Sequence, residues 1–160
     1  MHLWTAAVLA LALAVPAGVG PGTIEGRWEL AEQHYGAGGN DLRIPDLALT
    51  LEFRREGADL AGRIWAGADA AAARTWPAFA SDAGPLPVTV LERGPDGPGS
   101  VRVRYAVRPS AEDDLVLEVT EAYAVSADGG RLAGSMEVRF TGGTTERGGF
   151  TLHRVYRRIR

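Results

Sequence analysis

Cysteine is absent from the 160-residue chain, and so is lysine: all 17 basic side chains are arginine. Without a thiol there is no disulfide and no cysteine-borne lipid, so stability has to come from packing and sheet hydrogen bonds. The arginine-only usage is the bias a GC-rich genome imposes, and no mechanism is drawn from it. Charge of one sign is also lacking. With 20 acidic residues against the 17 basic ones the formal net charge is −3, which supplies no field to gather a polyanion and excludes nucleic acid as a partner. Histidine is scarce, and His2, His34 and His153 are too scattered for a zinc site. Helical periodicity is missing as well.

One long apolar run exists, Leu3 to Val15, followed by the small residues Ala17 and Gly18. It is short for a span and meets Pro16 early, so residues 1–20 read as a secretory signal peptide, without the usual basic start. The expectation is a periplasmic or secreted protein with no membrane span after cleavage, and a monomer. With 46% apolar and 23% charged residues, 21–160 reads as a single domain with a real core.

What the rest of the chain contains is alternation. "LALTLEFR" sets Leu47, Leu49, Leu51 and Phe53 on one face; "SVRVRYAV" sets Val101, Val103, Tyr105 and Val107 against Arg102 and Arg104. "LVLEVTEAY" and "LAGSMEVRF" behave alike, with weaker examples near 24–33, 59–66, 86–92 and 147–156. The pattern predicts an all-β chain of about eight strands. Short Gly-rich turns alternate with long connections near 34–46 and 67–85, which suits a closed up-and-down barrel with both long loops on one rim.

Three segments open alike, at Gly26, Gly62 and Gly134, each an inward glycine at one height. Glycine weakens a strand interior, so these are expected to clear room for the indole of Trp28 across the closed end. The last inward positions of the returning strands are Glu92, Glu121 and Arg154. Isolated inward charges are costly. Arg154 is therefore expected to stack on Trp28 and pair with Glu121 or Glu92, forming a plug; the alternative is that one or more of these strands shifts register at a bulge and turns its charge to water.

Gly26, Trp28 and a last-strand Arg154 resemble the lipocalin and calycin superfamily, whose barrels open with Gly-x-Trp and carry a late arginine packed on that tryptophan. The stretch from His34 to Asp46 is similar to the family's lid. The resemblance implies an eight-stranded barrel with an internal site for a small apolar molecule. No Thr-Asp-Tyr motif and no helix after the last strand accompany it, and avidin-like, fatty-acid-binding-like and haem-binding nitrobindin-like barrels are neighbouring possibilities. The ligand class does not transfer.

No acid, base and nucleophile converge, so no catalytic residue, metal or cofactor is assigned and the chain is not read as an enzyme. His34 is read as a loop histidine, with contact to a ligand or haem iron as the sharper alternative. The candidate ligand-binding set is Tyr35, Leu51, Phe53, Ile64, Trp76, Phe79, Val103, Tyr105, Met136 and Phe140. The expected function is extracytoplasmic binding of a small apolar molecule inside the barrel. An eight-stranded barrel is only just wide enough for its own side chains. The alternative is therefore a filled barrel acting through rim loops bearing Trp76 and Phe79, as an envelope interaction module or inhibitor. The closing "RVYRRIR" reads as a solvated strand end, with anionic lipid headgroups or another envelope component as its alternative partner.

Overall fold

Alternation becomes strand wherever it occurs. The computed structural model describes residues 22–37, 40–43, 48–81, 84–94, 97–112, 114–142 and 147–160, so the segment read as a signal peptide lies outside the described residues. The strands are β1 (Gly26–Ala37), β2 (Asn40–Arg43), β3 (Leu49–Glu56), β4 (Asp59–Ala66), β5 (Arg74–Trp76), β6 (Phe79–Ser81), β7 (Gly84–Leu86), β8 (Val88–Arg93), β9 (Ser100–Val107), β10 (Val116–Val125), β11 (Arg131–Thr141) and β12 (Arg147–Ile159). All eight expected strands are present. The two long connections are not plain loops: the first holds β2, which doubles back on β1, and the second holds β5 and the separate β6–β7 pair.

Ten strands form one curled antiparallel sheet, whose path runs β5-β4-β3-β1-β12-β11-β10-β9-β8 with β2 beside β1. The ends of the chain meet, since β1 pairs β12 from Arg27↔Ile159 to Gly36↔Thr151. The barrel is nonetheless not closed, which corrects the expectation of a complete eight-stranded ring. Closure would need β8 to pair with β4. The outer edge of β4 is taken by β5, through Gly62↔Trp76, Arg63↔Thr75 and Ile64↔Arg74. Strand β8 carries a bulge at Leu91 that bends its ladder. Across the gap, Arg93 donates a hydrogen bond to the Leu60 carbonyl and lies 5.6 Å from the Trp76 ring centre.

The concave face holds the core. Trp28, Leu51, Phe53, Val103, Tyr105, Val119, Leu132, Val138 and Tyr156 are wholly shielded from solvent. Edge-on ring contacts link Phe53, Trp76, Tyr123 and Tyr156 at 5.2 to 6.1 Å between centroids. Their burial and these ring contacts make this part of the interior closely packed.

The opening glycines clear space, but not for Trp28. Gly26 has φ of +125°, which a side chain rarely adopts, and a Cβ there would stand 2.8 Å from Arg158 Nη1. At Gly62 a Cβ would meet Phe53 and Trp76 at 3.0 Å, and at Gly134 it would meet Tyr123 Cε1 at 2.5 Å. Arg158, then Phe53 with Trp76, then Tyr123 occupy the three gaps.

Candidate functional site

A guanidinium does stack on Trp28, but it belongs to a different arginine and is held by backbone carbonyls in place of the expected Glu121 or Glu92. Strand β12 runs three residues beyond its expected end, and the register sets Arg158, not Arg154, opposite Trp28. The Arg158 guanidinium lies 4.1 Å from the indole centre. Its Nε donates to the Gly129 carbonyl at 2.9 Å, its Nη1 to the Glu25 carbonyl at 2.7 Å and its Nη2 to the Thr23 carbonyl at 2.5 Å. The Trp28 Nε1–H is satisfied by the Ile24 carbonyl at 2.8 Å. Arg158 shares strand parity with Arg154, so alternation alone could not choose between them.

Two bulges explain the other displaced charges. The one on β8 turns Glu92 outward, where it is 68% exposed and 3.4 Å from Arg104. The one on β1, at Ala31, resets the alternation so that Gln33 is buried, while Glu32 is exposed and His34 half-buried 3.7 Å from it. Arg154 meets Gln33, donating from Nε to Oε1 at 2.8 Å.

Glu121 does sit in the interior, 2% exposed, but as the acceptor of three buried donors: Trp76 Nε1 at 2.8 Å, Tyr105 Oη at 2.5 Å and Tyr123 Oη at 2.8 Å. Burial and the Glu121 charge push both tyrosines above their ordinary range. Burial alone would lower Arg154, but Tyr156, Tyr123 and Glu121 together hold it above its usual value. The Tyr156 hydroxyl is buried without a hydrogen-bond partner. Because Trp76 belongs to β5, this carboxylate pins the second long connection across the interior.

The candidate ligand residues divide accordingly. Leu51, Phe53, Val103, Tyr105 and Trp76 are shut inside the solid part, and Met136 is 7% exposed. Ile64 and Phe79 are half-buried beside β5, and Tyr35 and Phe140 are half-buried at the open end. There Tyr35 stacks near Phe150, with centroids 5.4 Å apart, and Phe150 lies 6.1 Å from Phe140. They line an open cleft of about 560 Å³ with Leu115, Gly148 and Gly149. A second cleft of about 320 Å³ is walled by Leu49, Ile64, Trp65, Arg74 and Phe79 among others. Phe150, missing from the sequence-derived set, was recognisable as an inward residue of the last strand.

On the outer face Glu52 accepts from Arg27 Nε at 2.9 Å, Arg54 Nη2 at 2.9 Å and Arg63 Nη2 at 2.5 Å. Burial would raise its pKa, but the three guanidinium bonds outweigh that and bring it from an ordinary 4.5 to about 2. A folded-state pKa below the unfolded one stabilises the protein above pH 4.5, and that contribution is lost as pH falls through 2. Acid titration of stability should therefore show a loss of about 2 kcal/mol over this window that disappears in Glu52→Gln. An unchanged slope in that variant would refute the assignment.

Among the described residues no group of three or more His, Asp or Glu is placed to hold a metal ion, and no helix is long and apolar enough to cross a membrane. The fold and plug define an all-β antiparallel half-barrel compatible with a calycin-like architecture. No protein-family model and no curated protein matches the chain.

Proposed function

We propose that the chain is an extracytoplasmic, monomeric binding protein for a small apolar molecule, periplasmic or secreted and without enzymatic activity. The ligand rests in the open end of the half-barrel instead of deep inside it. The supporting observation is the contrast along the barrel axis: solid packing from Trp28 up to the Glu121 network, then a cleft of about 560 Å³ lined by Tyr35, Phe140 and Phe150. That volume lies within the range of small-molecule sites. Burying about 300 Å² of apolar ligand contributes about 7 kcal/mol before association costs, so affinity no tighter than about 10 μM follows. A relation to the lipocalin and calycin superfamily is part of this reading, supported by Gly26, Trp28 and the stacked Arg158.

The packed interior favours a second reading, a filled barrel that engages an envelope protein through its rim. Burial of Trp76 at 3% exposure removes one of the two aromatics that reading needs at the surface. Titration with 8-anilinonaphthalene-1-sulfonate should saturate with a midpoint between about 10 μM and 1 mM, and Phe140→Ala with Phe150→Ala should weaken it by about tenfold. Native mass spectrometry of protein from its own host should show a co-purified small molecule. An empty protein that also fails to bind the dye would reject the carrier and favour the rim-mediated reading.

A further inference from the structure

Strand β5 covers β4 only in part. It pairs with Gly62, Arg63 and Ile64, while Trp65 and Ala66 carry β4 two residues further with only β3 beside them. The connection leaves at Gly67, whose N–H donates to the Ala48 carbonyl at 2.6 Å. It then makes one 3₁₀ turn, Ala70–Ala72, capped by Asp69, whose carboxylate accepts from the Ala71 N–H at 2.9 Å. The chain passes through β5 and returns as β6, and the cleft of about 320 Å³ lies between β4, this turn and β6.

Its walls are set before any ligand arrives. Leu49, Ile64 and Phe79 pack against the core, and Trp65 is 7% exposed, with Arg27 and Arg63 at 5.9 and 5.8 Å from its ring centre. Glu52 holds both of those guanidiniums in turn, so the indole wall is braced from behind. The rest of the lining is alanine, apart from Arg74, the one charged side chain on the cleft among the described residues. Arg74 differs from the arginines of the neighbouring strands. Arg27, Arg54 and Arg63 share Glu52, and Arg55 meets Glu25. Among the described residues Arg74 has no ion-pair partner and no side-chain hydrogen bond, and Asp69, the nearest acid along the chain, does not pair with it.

We propose that this cleft is a second binding site, separate from the mouth, for a small aromatic carboxylate. The ring system lies against Trp65, Ile64 and Phe79, and the carboxylate meets the Arg74 guanidinium. Aromatic walls favour a ring in offset or edge-on contact. A neutral guest would strip water from Arg74 and leave it without a partner, whereas a carboxylate restores its hydrogen bonds as a charge-assisted pair. The volume is at the small end of ligand sites, which suits one or two fused rings and not a long chain.

Nuclear magnetic resonance titration of the full chain with 1-naphthoate tests it. The Trp65 indole and Phe79 amide signals are expected to shift with a midpoint between about 0.1 and about 10 mM. Arg74→Gln, at an exposed position, should raise that midpoint about fivefold and change it less than about 1.5-fold for 1-naphthalenemethanol, the uncharged analogue. Phe79→Ala should weaken both compounds by about fivefold. Phe140→Ala with Phe150→Ala, which disables the mouth cleft, should alter the Trp65 titration less than about twofold. Equal effects of Arg74→Gln on the charged and uncharged compounds, or no shift at Trp65 by about 50 mM, would overturn the proposal. Shifts confined to Tyr35, Phe140 and Phe150 would also overturn it while leaving the mouth reading in place.

Discussion

Trp28→Ala is expected to destabilise the protein by about 3 to 5 kcal/mol in urea unfolding, because a wholly buried indole is removed from a region with no slack to collapse. Its partner distinguishes the observed plug from the expected one. A double-mutant cycle of Trp28→Ala with Arg158→Met should give a coupling of about 1 kcal/mol, the worth of a partly desolvated cation–π contact. The same cycle with Arg154→Met should give less than about 0.3 kcal/mol, since Arg154 bonds Gln33 instead. Larger coupling to Arg154 than to Arg158 would show that the last strand sits in another register.

Glu121→Ala is expected to be comparably severe, about 3 to 5 kcal/mol, for a different reason. It strands the Trp76, Tyr105 and Tyr123 donors in the interior, each costing about 1 to 3 kcal/mol when unpaired, and leaves Arg154 without its nearest buried carboxylate. Tyr105→Phe and Tyr123→Phe each remove one donor along with its need for a partner and should cost only about 1 to 2 kcal/mol. Because Trp76 anchors β5, Glu121→Ala should also speed amide exchange in Arg74–Trp76 relative to β9 and β10. If the alanine variant lost less than about 1 kcal/mol, the network would not be what holds this segment.

The two arginine positions show where alternation carries information and where it stops. Period two placed Arg154 and Arg158 on the same face, and both do face inward, but pairing with Trp28 depends on how far β12 runs and on the bulge at Ala31 of β1. Neither is a local property. A bulge is one extra residue whose position is fixed by the partner strand, so nothing in "VTVLER" announces that Glu92 turns outward after Leu91. The candidate site suffered likewise. Inward parity grouped Leu51, Phe53 and Phe140 together, and Tyr35 joined them from the rim, whereas depth along the axis separates the sealed core from the mouth.

The amino-acid order alone determined the all-β class, the eight main strands and their inward faces outside the bulges of β1 and β8, because side-chain alternation and turn chemistry act over a few residues. Whether the ring closes was decided only in three dimensions. The edge of β4 can pair once, and a three-residue strand from a segment without strong alternation holds it in place of β8, anchored by an indole that hydrogen-bonds a carboxylate 45 positions away.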